Sequence, residues 1–185
     1  MAEEEMKYAN TILEAKKKWE NLSKNEKEIH DASFRKGAER FILIWDFAGA
    51  IEKKFTIDVK SVLREEIWNK SFATGQRMAT KYAEHGIKEL YDAYNSQFEG
   101  LIEAQWIELN DKVLHKWNHK CPVIKHFRDL GKSAEEISEM APYYCLQDIG
   151  FMTGFNPKLE VFQQTRLLMK GDSHCTYRVE NHGGK

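Results

Sequence analysis

The chain has 185 residues and no proline before Pro122. Proline lacks a backbone N–H and clashes with the preceding turn, so it is the residue that most surely ends a helix. The first two-thirds of the chain therefore meets no such break, and its apolar residues recur at helical spacing. Phe41, Ile44, Trp45, Ala48 and Ile51 form one stripe, which predicts a helix over 34–55. Asp58 is a fitting N-cap for the next helix, whose Val59, Val62, Leu63, Ile67, Phe72 and Met78 share a face and which Gly86 is expected to stop. Another helix is expected from Ile87 to about Phe98. A shorter helical run covers 8–23, and "NLSKNEKEIHDAS" reads as a charged joint between it and the 34–55 helix.

After Gly100 the pattern changes. "EAQWIELNDKVLHKWNH" sets two alternating runs about Asn110-Asp111, a turn dipeptide, and predicts a β-hairpin over 102–118. Trp106 and Trp117 lie on opposite arms, placed to pair across it. "CPVIKHFRDLG" reads as a short helix with Pro122 in its first turn and Gly131 as its stop. Ser133 and Glu136 fit a capping box for a helix that Pro142 interrupts and "YYCLQDIGFMTGF" resumes. "KLEVFQQTRLLM", a "KGDS" turn and "HCTYRVE" then form a second hairpin. The fold class is α+β: N-terminal helices (1–100) packed with a C-terminal region (101–185) of two antiparallel hairpins and short helices, expected as one compact domain.

A formal net charge of -1 offers no basic excess for nucleic acid. The best apolar run, Phe41 to Ile51, is too short for a membrane span and carries Asp46. The start "MAEEEMKYAN" lacks the basic and apolar regions of a signal peptide, so a cytoplasmic setting is expected. Cys121, Cys145 and Cys175 form no CxxC pair and are expected as free thiols there. The six histidines other than His174 lack ligand spacing and read as surface or helix-end residues.

Four steps in the second half follow one another at short spacing: Cys121-Pro122, Cys145 with Asp148, Gly154-Phe155-Asn156-Pro157, and Gly171-Asp172 with Cys175. In this order they resemble the L-2-amino-thiazoline-4-carboxylic acid hydrolase family, over roughly residues 100–180. The chain is also distantly similar to vinyl-reductase-type small-ligand domains, whose members bind small molecules without always being enzymes.

The reaction implied by the hydrolase resemblance adds water to a cyclic C=N carbon and opens the ring. It needs an activated water or thiolate, an acid for the departing group, and polar or cationic side chains to hold the substrate and its carboxylate. The candidates are Cys175, Asp172, Cys145 and Asp148 for catalysis, and Asn156, Arg166, Arg178 and His174 for the substrate. Cys145 and Asp148 share a helical face at i and i+3. Each candidate also has a plain structural reading. Cys175 alternates with Tyr177 and Val179 and so shares their core face; Asp172 is a turn residue; His174 falls on the solvated face; Asn156-Pro157 marks a bend. No cofactor is called for. A zinc site on Cys145, Asp148, Asp172 and Cys175 is the alternative, without a CxxC or HxxxH signature. A small-molecule hydrolase and a non-catalytic small-ligand binding domain both stand at this point. A helical interaction protein is a third reading, and apolar helices make a homodimer plausible.

Overall fold

The computed structural model of the protein describes residues 12–95, 99–162 and 166–182. Helical residues 12–20 lead into α1 (Lys24–Phe55). This helix starts ten residues before the predicted point, because the supposed joint is its first turns. Ser23 and Glu26 close a capping box there, the Ser23 hydroxyl accepting from the Glu26 N–H at 3.3 Å. Helix α2 (Val59–Ala79) begins at its predicted N-cap, with the Asp58 carboxylate accepting from the Ser61 N–H at 2.9 Å. It ends at Ala79, and Gly86 instead precedes α3 (Ile87–Leu90), so it starts a helix rather than stopping one. A π-helical turn follows over Tyr91–Asn95, and a short α4 (Glu99–Ile102) leads into the sheet. The far end of the predicted 87–98 helix lies outside the described residues.

The sheet is antiparallel, in the order β1 (Ala104–Leu109), β2 (Val113–Asn118), β4 (Cys175–Asn181), β3 (Leu159–Phe162). Asn110 makes the predicted first turn, its side-chain oxygen accepting from the N–H groups of Lys112 and Val113. Of the predicted outgoing strand of the second hairpin, residues 163–165 lie outside the described residues, and its end is not strand: Leu168–Lys170 form a 3₁₀ turn, closed by Gly171 at φ 88°. The register places Gln105, not Trp106, opposite Trp117. Trp106 therefore faces inward with Lys116, and the expected tryptophan pair does not form.

Between the hairpins run α5 (Pro122–Asp129), α6 (Ala134–Tyr144) and α7 (Leu146–Phe155). Pro122 opens α5 and Ser133 caps α6 with Glu136, as predicted. Pro142 sits in the last turn of α6, and the break comes three residues later, at Cys145. The buried core joins both halves: Trp45 of α1 and Ala79 of α2 belong to the same cluster as Phe127, Met140, Phe155 and Val179. Phe41 is edge-on to Tyr144, and Trp45 to Tyr143. His126 is buried and pairs with Asp31 of α1 at 3.0 Å, against the expectation of a surface residue. Ile44, predicted on the inner stripe, points outward with Leu43 and Phe47.

The tightest contact is α2 on α7. A Cβ on Gly154 would stand 2.0 Å from the Phe72 carbonyl oxygen, and one on Gly75 2.1 Å from that of Phe151. Both clashes are with backbone, so no rotamer change relieves them. Gly37, inside α1, has no atom near its would-be Cβ. Gly154→Ala should therefore destabilise the fold by at least about 2–3 kcal/mol, whereas Gly37→Ala should stabilise it by about 0.5–1 kcal/mol. Urea denaturation of the two variants checks both signs.

Candidate functional site

Beneath the inner face of the sheet lies a cavity of about 410 Å³. Its floor follows from strand alternation. On β2, Lys116 and Asn118 point inward, in register with Tyr177 and Cys175 of β4, and all four line the space. Cys121, Pro122 and Val123, at the start of α5, form one side. Tyr144, Cys145, Gln147, Asp148 and Phe151 form another, where the chain turns from α6 into α7. Lys70, Ser71 and Thr74 of α2 and Phe34 of α1 complete the walls, with Tyr94, Ile102 and Met169.

Asp148 is the focus of the polar groups. It occupies the first turn of α7, its N–H bonding back to the Cys145 carbonyl at 3.2 Å. The Tyr94 hydroxyl donates to one carboxylate oxygen and the Tyr177 hydroxyl to the other. Tyr94 lies in the π-helical turn, a departure from regular helix often found at functional sites. Burial, then the Asp148 charge, pushes both phenols well above their usual range, so they remain protonated donors. Lys116 is 1% exposed, its ammonium 5.3 Å from the Trp106 ring centre and 5.7 Å from that of Tyr177.

All three thiols line this cavity. Burial is the largest cause raising each of them, and Asp148 adds to it. Cys121 is pushed up to about 11 despite N–H donors at the start of α5, Cys175 to about 12, and Cys145 well above its ordinary value. The Cys145 thiol donates to the Met169 sulfur at 3.6 Å, and Cys175 Sγ accepts the Leu168 N–H at 3.2 Å. Neutral thiols, not resting thiolates, therefore face the cavity at neutral pH.

Of the catalytic candidates, Cys175, Cys145 and Asp148 thus come together, and Asp172 stays outside the lining. Its carboxylate caps the 3₁₀ turn by accepting the Leu167 N–H at 2.7 Å, though it is near enough to raise the Cys175 thiol slightly. None of the four substrate-binding candidates lines the cavity. Asn156 closes α7, its amide donating to the His85 carbonyl at 2.8 Å. Arg166 is exposed. Arg178 lies on the outer face of β4 and pairs with Glu180 at 2.6 Å. His174 is on the face opposite Cys175, as expected, yet it is buried, stacked on Trp117 with ring centres 4.5 Å apart. Among the described residues no three His, Cys, Asp or Glu side chains are grouped to hold a metal ion. Cys145, Asp148, Asp172 and Cys175 make no such set.

Sequence reasoning missed Tyr94, Tyr177, Lys116 and Asn118 as cavity residues, and gave Cys121 only a place in a motif. Strand alternation carried the signal for the β2 pair: Leu114, Lys116 and Asn118 share one face, and Leu114 is a core residue.

A family model described as L-2-amino-thiazoline-4-carboxylic acid hydrolase matches residues 41–179. None of the curated proteins is similar enough to match. Among solved structures, the chain is similar to trafficking protein particle complex subunit 3 from Naegleria fowleri, covalently bound to palmitic acid. The TM-score is 0.52 at 13% identity, over 82% of this chain and 96% of that one, a likeness of fold. Among the described residues no helix is long and apolar enough to cross a membrane.

The raised thiols make stability fall in alkali. An unfolded cysteine loses its proton near pH 8.5–9, whereas Cys121 and Cys175 hold theirs to about 11 and 12 in the fold. Above about pH 9 the unfolded state therefore releases protons first, and unfolding becomes easier up to the folded values. Urea midpoints should be level from pH 7 to 8.5 and drop by pH 10.5, with a shallower drop for Cys175→Ser. Iodoacetamide at pH 8 should label the native thiols far more slowly than the denatured ones.

Proposed function

We propose that this chain, which belongs to the L-2-amino-thiazoline-4-carboxylic acid hydrolase family, hydrolyses a carbon–nitrogen bond in a small cyclic amidine- or thiazoline-like carboxylate. One observation supports this most: a half-buried carboxylate, held by two phenols, shares one cavity of about 410 Å³ with three thiols. Net addition of water places an oxygen on the C=N carbon and a proton on the ring nitrogen. The tetrahedral carbon then collapses, and the departing ring atom leaves with the second proton. Asp148 takes the proton from the attacking group, which is water or the thiol of Cys145 or Cys175; where a thiol attacks, water then adds to the same carbon and the sulfur leaves it, regaining its proton. A thiol at this site is neutral until a base acts, and Asp148 is the carboxylate at hand. Tyr94 and Tyr177 fix its two oxygens. Lys116 and Lys70 supply positive charge along the walls for the substrate carboxylate, the part the sequence had assigned to Arg166 and Arg178, while Lys120 is paired with Glu103.

A second reading, a non-catalytic acyl- or small-ligand-binding domain, is favoured by the apolar stretches of the wall and by the palmitic acid bound in the structural neighbour. In it the thiols are lining or an acyl acceptor. The homodimer expected from the sequence would use the outward Leu43 and Phe47 of α1 and suits either reading.

Purified protein incubated with L-2-amino-thiazoline-4-carboxylate should yield a product heavier by one water. Asp148→Asn should lower kcat/KM by at least about a hundredfold. Where Cys175 is the attacking thiol, Cys175→Ser should abolish turnover with a stability change of no more than about 1–2 kcal/mol; turnover kept in that variant assigns the attack to water or Cys145. No turnover by the wild type, together with a fatty acid retained in native mass spectra, would establish the second reading instead.

A further inference from the structure

We infer that Asn118 accepts a hydrogen bond from a ring or exocyclic N–H of the substrate and so selects nitrogen-bearing rings; this rests on the hydrolase reading. Asn118 ends β2 and lies opposite Cys175 in the β2–β4 register. It is 7% exposed and lines the cavity, and its side-chain oxygen is buried with no hydrogen-bond partner among the described residues. A buried amide oxygen left unpaired carries a desolvation penalty with no return, and folded proteins keep few such atoms. Here the atom borders an open space large enough for a ligand, so its partner is expected to come from outside the chain.

The surroundings restrict that partner. The Cys175 thiol opposite Asn118 sits against the Leu168 N–H, and the Cys145 thiol is turned to the Met169 sulfur. The Lys116 ammonium, two residues along the same strand face, lies over the Trp106 and Tyr177 rings. A ligand lying along the floor thus meets a cation at Lys116 and an acceptor at Asn118. An amino-substituted ring carboxylate meets both demands. A fatty acyl chain has no N–H and would leave the Asn118 oxygen unpaired. A site built around an acceptor discriminates by the cost of leaving it empty, which makes it a stronger filter than shape alone.

The test uses two aromatic rings that resist water addition, 2-aminothiazole-4-carboxylate and thiazole-4-carboxylate, which differ only in the amino group. Calorimetry on the wild-type protein should give at least about tenfold tighter binding of the amino compound. In Asn118→Leu that ratio should fall close to one, with the affinity for the plain ring kept. Asn118→Ala, which adds no bulk, serves if the leucine variant does not fold. Equal binding of both rings by the wild type, or an unchanged ratio in a folded variant, overturns the role of Asn118 and leaves the hydrolase reading to its own turnover assay. Binding of neither ring, with no turnover of the thiazoline, overturns both.

Discussion

Where Gly154 meets Phe72, two helix backbones pass with no room for a single methyl group. Gly75 and Gly150 extend this contact, so α7 lies against α2 along most of its length. The crossing fixes the height of α7 under the sheet, and with it the position of Asp148 in the helix's first turn. The Asp148 oxygens then meet two hydroxyls from different elements, one on β4 and one in the π-helical turn. A shift of an ångström in the helix contact would pull the carboxylate from one phenol or the other. The site thus depends on packing some distance from its chemistry, as positioned groups generally do.

The polar groups inside the cavity share one logic. A half-buried carboxylate is tolerated when donors meet it, and two phenols do so here. Its charge, together with burial, keeps the surrounding thiols protonated. Cysteines with raised values are poor spontaneous nucleophiles, and slow to be oxidised or alkylated. They become useful only when a proton acceptor and a bound electrophile are present together. That arrangement suits an enzyme whose nucleophile is to stay silent between turnovers, and it equally suits a pocket whose thiols are packing. Under the proposed hydrolase reading, Asp148 is the acceptor that would bring such a thiol into play.

Much of this was legible in the chain. The absence of early proline, the Asp58 and Ser133 caps, and the Asn110 turn are local signals, set within a few residues, and each was found where expected. The start of α1 was misread because "SKNEKE" is charged, although Ser23 and Glu26 carry a capping box that outweighs charge as a helix signal. Cys145, Cys175 and Asp148 were legible through motif order. Asp172, Asn156, Arg166 and Arg178 carried equal promise, because a linear motif does not reveal which of its members turn toward a common space. Asp172 and Asn156 serve the chain's own bends, capping a 3₁₀ turn and a helix end. Alternation marks Lys116 and Asn118 as sharing the inward face of Leu114, but that this face borders a cavity shows only with the register of β2 against β4, as the place of Tyr94 shows only with the π-helical turn known. Both depend on contacts between residues far apart in sequence.

The balance of the cavity lining bears on what it holds. A pocket evolved for a hydrocarbon chain has no use for an ammonium, an amide oxygen without a partner and a carboxylate, since each loses hydration that an acyl chain does not restore. Under the proposed function, a small ring bearing both a carboxylate and nitrogen meets a cation at Lys116 and an acceptor at Asn118, while Asp148 accepts from Tyr94 and Tyr177. The apolar remainder, Ile102, Val123, Phe151 and Met169, then packs the ring faces and excludes bulk water from the carbon under attack. Under the proposed function, a fold similar to that of a palmitate-bound protein would reach a different ligand through the residues on its sheet floor. Relatives of this fold that carry an aliphatic side chain in place of Lys116 and Asn118 should for the same reason hold apolar ligands.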